Sequence, residues 1–140
     1  CDFCALNPQQ RIALLKRFHS LLDDEGRVVF DAYSLAGFQQ REEVAVYEKN
    51  LLNGFWAKED YYGFLNTFLY QEERVALDKF SLISKDREWE VYNWLQYLSP
   101  DALRTEVELA GFTVTELFAD VAGGEYSKDG SEFAVVLRKK

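Results

Sequence analysis

The sequence predicts an α/β fold built as one domain over residues 1–140, part of it a parallel sheet, with a largely antiparallel, aromatic-rich β insertion over residues 44–99. Three observations lead there. Val28-Val29-Phe30 follows directly on a capped helix pattern, and consecutive apolar residues are the mark of a strand covered on both faces, as in parallel sheets. FLNTFLYQEE, VALDKFSLIS and WEVYNWLQYLS are three extended runs rich in aromatic and β-branched residues, separated by charged turns. A second capped helix then leads to two closing strands.

Taken in order, CDFCAL reads as the last residues of a strand. Asn7 is an N-cap, Pro8 suits the first helical position and Gln10 stands where a capping-box partner belongs. Ile12, Leu14, Leu15, Phe18, Leu21 and Leu22 recur at helical spacing until Gly26. RVVFDAY is the next strand. A parallel strand fed by a helix implies an earlier strand alongside it, so the chain is expected to begin inside a βαβ unit. LAGFQQREE suggests a short helix, VAVYEKN a strand and LLNGFWAKED a loop. The three aromatic runs form an antiparallel meander. Ser99-Pro100 repeats the cap-and-proline start of a helix that Gly111 closes, and FTVTELFAD and EFAVVLRK pair as the final strands.

Charge and composition exclude several classes. A formal net charge of -8 argues against nucleic acid and anionic lipid as partners, since both select for clustered Lys and Arg. No apolar run approaches the roughly 20 residues a membrane-spanning helix requires. Two cysteines, both within the first four positions, cannot staple a fold that lies downstream of them, which fits a reducing compartment such as the cytoplasm. The absence of Met is expected of a trimmed or internal piece; a lipidated N-terminal Cys is the competing reading, weakened because helix signals begin at Asn7 with no polar tether before them.

The residues that bear chemistry are few. Cys1 and Cys4 have CxxC spacing, but zinc needs about four ligands and only His19 is available elsewhere, so no metal site is expected. A redox pair belongs at a helix N-terminus, and the cap at Asn7 lies beyond both thiols; small apolar packing residues is the better reading. His19 is a lone helical histidine, GxSxG is absent, and no catalytic base can be named. Gly123-Gly124 opens no helix, so it is a turn and not a phosphate loop. Tyr92, Trp94 and Gln96 alternate along one strand and share a face, while Trp56 lies in a loop beside Gly54; these read as core packing or as the wall of a pocket or interface.

The order of a strand end, an Asn-Pro helix, DDEGRVVFDAYS, an aromatic antiparallel insertion, YNWLQYLSPDALRTEVELAGF and a closing strand pair resembles the C-terminal half of class I S-adenosylmethionine-dependent methyltransferases. The resemblance covers nearly the whole chain. It implies the C-terminal part of a Rossmann-like methyltransferase sheet carrying an antiparallel insertion. The family's glycine-rich cofactor loop and its acidic ribose ligand are missing here. S-adenosylmethionine would therefore be held mainly by residues upstream, with Asp2, Phe3 and Cys4 as the remnant of its site. Trp56, Tyr92, Trp94 and Gln96 would line the substrate side, and the methyl acceptor would be a small molecule. Such a portion is expected not to catalyse alone. Its open parallel edge at RVVFDAY invites a homodimer or a swapped contact. The alternative is a noncatalytic α+β ligand-binding or dimerisation module.

Overall fold

Asn7 caps the first helix in both directions, its side chain accepting from the Gln10 backbone and its own N–H donating to the Gln10 side chain, each at 2.9 Å. In the computed structural model, which describes all 140 residues, helix α1 runs Pro8–Leu21 behind a short 3₁₀ turn at Asp2–Ala5. Strand β1 (Val28–Tyr33), helix α2 (Leu35–Gln39), strand β2 (Ala45–Lys49), a single turn α3 (Leu51–Gly54) and strands β3 (Tyr61–Tyr70), β4 (Val75–Ser84) and β5 (Glu88–Gln96) follow. Helix α4 (Pro100–Leu109), capped by the Ser99 hydroxyl at Ala102 N, leads to β6 (Phe112–Phe118) and β7 (Glu132–Lys139). The chain divides into two compact units, Cys1–Gln40 with Gln96–Lys140, and Arg41–Leu95.

In the first unit β1, β7 and β6 form a sheet in that order, with both pairings antiparallel. Phe133, Val135 and Leu137 alternate along β7 and meet Leu15 of α1 and Leu103 and Val107 of α4 in a core closed to solvent. One charged side chain enters it. Arg11, 1% exposed, donates from Nε and NH2 to the two carboxylate oxygens of Glu106 at 2.8 and 2.6 Å and from NH1 to Leu6 O at 2.7 Å. A fork this well matched is what lets a guanidinium be buried without leaving a donor stranded. His19 packs edge-on against Phe112 and sits over Gly111, whose positive φ turns the chain from α4 into β6.

One expectation for this unit is corrected. The Val28–Phe30 run lies at the rim of the sheet, paired antiparallel with β7 on one side and open on the other, as expected of a strand whose parallel partner the chain does not supply, and Val29 is 52% exposed. Consecutive apolar residues report that both faces touch something apolar, and here the free side of the strand abuts an open groove. CDFCAL is a 3₁₀ turn, not a strand end. The amino terminus is nevertheless tied down. Cys1 Sγ donates to Asp31 O at 3.1 Å, Tyr33 N donates to Cys4 Sγ at 3.2 Å, and Leu98 N donates to Tyr33 O at 2.9 Å beside a lone parallel bridge between Ser34 and Leu98. Those three contacts occupy much of the rim that an edge-to-edge partner would use.

The second unit is a four-stranded sheet in the order β2-β3-β4-β5. The meander lies where the three aromatic runs place it. One face carries Tyr61, Leu65, Phe80 and Leu82, covered by Leu51 and Trp56 and bordered by Trp89 and Val91. Gly63 is required there, because a Cβ at that position would come within 2.5 Å of the Leu51 side chain. The α3 turn is held by Tyr61, whose hydroxyl donates to Leu51 O, and by Asn50, whose side chain accepts from Tyr61 N at 3.0 Å and donates to Asp60 at 2.9 Å. Asn50, Leu52 and Asn53 all take left-handed backbone angles, a costly arrangement for residues with a Cβ.

Candidate functional site

The three residues expected at a cofactor edge do not present alike. Phe3 is 6% exposed and packs tilted against Phe30 with ring centroids 4.4 Å apart, and Cys4 is 1% exposed. Burial pushes the Cys4 thiol up to about 11, although the Tyr33 N–H opposes the shift, so Cys4 is a protonated packing residue and not a nucleophile. Only the Asp2 side chain of the three faces water. Just beyond, at the carboxyl end of β1, Tyr33 and Tyr97 stack at 5.5 Å and Phe38 tilts against Tyr97 at 5.3 Å. Ser34 fixes this corner by accepting from Gly37 N at 3.0 Å and donating to Gly130 O at 2.5 Å. This aromatic corner was missed from the sequence; Tyr33 ends the apolar strand and Tyr97 precedes the helix cap, a position that signals proximity to a strand terminus and nothing more.

The four expected substrate liners are not brought together. Tyr92 and Trp94 stand on the open face of the second sheet, 50% and 45% exposed, with Trp94 5.7 Å from Tyr70. Trp56 lies on the opposite face, 4.9 Å from Phe80 and edge-on to Phe55. Its indole Nε1 is buried with no hydrogen-bond partner. Gln96 ends β5 half-buried, donating to Tyr97 O at 3.2 Å.

The open face has its own electrostatics. Glu90 accepts from the Tyr92 hydroxyl at 2.6 Å, pairs with Lys79 at 2.9 Å and accepts from Ser81 at 3.2 Å. These bonds, that from Tyr92 first, hold the Glu90 carboxyl below its ordinary range, while its own bond to Glu90 raises the Tyr92 phenol. Lys79 also lies 5.5 Å from the Tyr92 ring centre. At one end of the sheet a cavity of about 350 Å³ is lined by Lys49, Asp60, Tyr61, Tyr62, Ile83 and Lys85, with Lys49 and Asp60 paired at 2.7 Å.

Two grooves mark the first unit. One, of about 450 Å³, runs along α1 beside Pro8, Ile12 and Ala13; the other, of about 310 Å³, lies between Leu21, Leu22, Val28 and Val29 at the rim of β1. The first is almost wholly apolar, and the second is mixed, with Arg27 in its lining. No group of three or more His, Cys, Asp or Glu side chains is placed to hold a metal ion, and no helix is long and apolar enough to cross a membrane.

No protein-family model and no curated protein matches the sequence. Solved structures do. The CcbJ methyltransferase from Streptomyces caelestis superposes with a TM-score of 0.69 at 17% identity over 99% of this chain and 56% of its own. An S-adenosylmethionine-dependent methyltransferase from Clostridium acetobutylicum gives 0.67 at 8% identity over 95% of this chain and 52% of its own. The sugar N-methyltransferase KedS8 from Streptoalloteichus gives 0.58 at 12% identity over 99% and 53%. The chain therefore has the fold of S-adenosylmethionine-dependent methyltransferases over nearly its whole length, and it spans about half the length of the structures it resembles.

Proposed function

We propose that this chain is the substrate-side, C-terminal portion of an S-adenosylmethionine-dependent methyltransferase that acts on a small molecule in the cytoplasm. The observation that carries the reading is the match over 99% of this chain to 56% of CcbJ. Both cysteines are free thiols, in keeping with a reducing compartment.

The residues present do not make a cradle for the methyl donor. Phe3 and Cys4 are consumed in packing, leaving the Asp2 side chain as the one polar group of that segment within reach of a ligand. When bound, the donor would supply an activated methyl group. This chain's share of the work is to orient the acceptor and exclude water, and methyl transfer by in-line displacement draws most of its advantage from those two effects. No side chain here is assigned as a base. Trp56, Tyr92 and Trp94 belong to the acceptor side in this reading, though they cannot line one pocket within a single second unit, because the sheet lies between them.

The test is methyl transfer by the natural polypeptide with isotopically labelled donor, offered a panel of small acceptors that includes amino sugars because KedS8 is a sugar N-methyltransferase. Label should pass to at least one acceptor, and Trp56→Ala should raise its KM more than it lowers kcat. A polypeptide that neither binds the donor nor labels any acceptor would refute the reading. The same polypeptide is expected to work as a homodimer.

A further inference from the structure

The 3₁₀ turn at the amino terminus changes what its two cysteines can do. In a β-strand, residues three apart point to opposite faces, and Cys1 and Cys4 would have been kept apart. In a 3₁₀ turn, positions i and i+3 eclipse one another, with about 6 Å between them along the axis. Cys1 is the N-cap of the turn over Asp2–Ala5 and Cys4 lies within it, so the two side chains leave the same side of the backbone. A disulfide joins Cα atoms roughly 4.4–6.8 Å apart, which is the reach of such a turn. Strand β1 supplies an independent reason. Cys1 Sγ donates to Asp31 O at 3.1 Å, and Cys4 Sγ accepts from Tyr33 N at 3.2 Å. Alternate residues of an extended strand direct their backbone groups to the same edge, so both sulfurs sit side by side on one short stretch of the β1 rim. The chain has no other cysteine, so each thiol has one intramolecular partner.

We propose that Cys1 and Cys4 are a reversible modification site, closed to a disulfide by exchange with a small-molecule disulfide such as oxidised glutathione. Cys1 is partly exposed, and exchange starts there. Its thiolate attacks one sulfur of the reagent, a mixed disulfide forms and one reagent thiol leaves. Cys4 then gives up its proton and attacks the Cys1 sulfur, and the second reagent thiol leaves. Two electrons and two protons have passed from the protein to the reagent. Cys4, protonated and closed off from water, is no nucleophile toward a dissolved reagent and cannot begin the exchange. It can finish it, because a sulfur held one turn away has an effective concentration that offsets its small thiolate fraction. The Tyr33 N–H bonded to that sulfur favours the thiolate as it forms. Closing the bond removes the Cys1 S–H, so Asp31 O loses its donor on the β1 rim, while Cys4 Sγ keeps a lone pair for Tyr33 N. The new ring contains Asp2 and Phe3 and fixes a segment whose Phe3 already packs on Phe30, with the Arg11 guanidinium 5.8 Å from its ring centre. In a reducing compartment such a pair is open at rest and closes under oxidative load. Nothing in this depends on the methyltransferase reading.

The test equilibrates the 140-residue chain with oxidised and reduced glutathione at fixed ratios and counts free thiols by alkylation and intact mass. The folded chain should lose both thiols together and carry no glutathione, and added reductant should restore both. At one glutathione ratio, its oxidised-to-reduced ratio should be at least about tenfold higher than that of the same chain unfolded in urea, because the turn holds the sulfurs within reach. Cys4→Ser should stop at one glutathione on Cys1, and Cys1→Ser should leave Cys4 unmodified. Where Cys4→Ser does not fold, the wild-type comparison with urea decides alone. A folded wild type that accumulates glutathione on Cys1 overturns the proposal, as does a pair that closes no more readily in the folded chain than in urea.

Discussion

Phe112, Phe133 and Leu137 of the first unit are fully buried, whereas Tyr62, Phe68 and Trp94 of the second each keep more than 40% of their surface in water. Both units are built on antiparallel sheets, the second the richer in aromatics, and what separates them is the second layer. In the first, α1 and α4 lie across the sheet and seal it. In the second, one left-handed turn and Trp56 cover one face, while the other buries Leu77 but leaves Tyr62, Phe68 and Trp94 in water. A sheet needs two layers to bury its apolar face, so the second unit as it stands is a surface looking for its complement.

The sharpest way to break this contrast is to truncate one aromatic in each unit. Phe112→Ala should lose about 3–5 kcal/mol in urea unfolding, because it empties a closed core. Phe64→Ala, measured at concentrations where the chain is monomeric, should stay within about 0.5 kcal/mol of wild type. Glu106→Ala comes next. It strands the buried Arg11 guanidinium and should cost about 3 kcal/mol, while Glu106→Gln, which keeps one acceptor, should cost less.

Cys4 supplies a pH test of how closed the first core is. Its thiol is raised from 9.0 to about 11, so folding favours the protonated form. The stabilisation is complete below pH 9, and it is lost as pH rises from 9 toward 11, because the unfolded chain releases the proton first. Wild type should therefore lose roughly 2–3 kcal/mol over that window relative to Cys4→Ala, read by chemical denaturation at each pH. Parallel curves for the two proteins would mean that Cys4 is hydrated. The second unit supplies a further test: Gly63→Ala should cost about 1–2 kcal/mol by pushing Leu51 off the sheet, with a shift in Trp56 emission as its cover loosens.

Much of the fold could be read locally. The Asn7 and Ser99 caps, the prolines behind them and the glycine at the end of α4 each act through the nearest turn, and the helices lie where those signals put them. The period-two runs of β3, β4 and β5 were equally plain. What could not be read is what depends on distant partners. The Val28–Phe30 run carries no record of whether its neighbour is parallel, and the six residues from Cys1 to Leu6 are too few to show a period, so a 3₁₀ turn passed for a strand end. Trp56 and Tyr92 looked like one site because both are aromatic. Only the cross-strand register, set by turn geometry, reveals that the sheet divides them. The open face was within reach, since Tyr62, Phe64, Phe68 and Tyr70 alternate along β3 as visibly as Tyr92 and Trp94 do along β5.

The account turns on this chain holding the acceptor side of a methyltransferase without the donor's cradle. Isothermal titration of the 140-residue chain with S-adenosylmethionine addresses that directly. No binding heat up to 100 µM donor is the expected result; saturable binding at low micromolar concentration would contradict it.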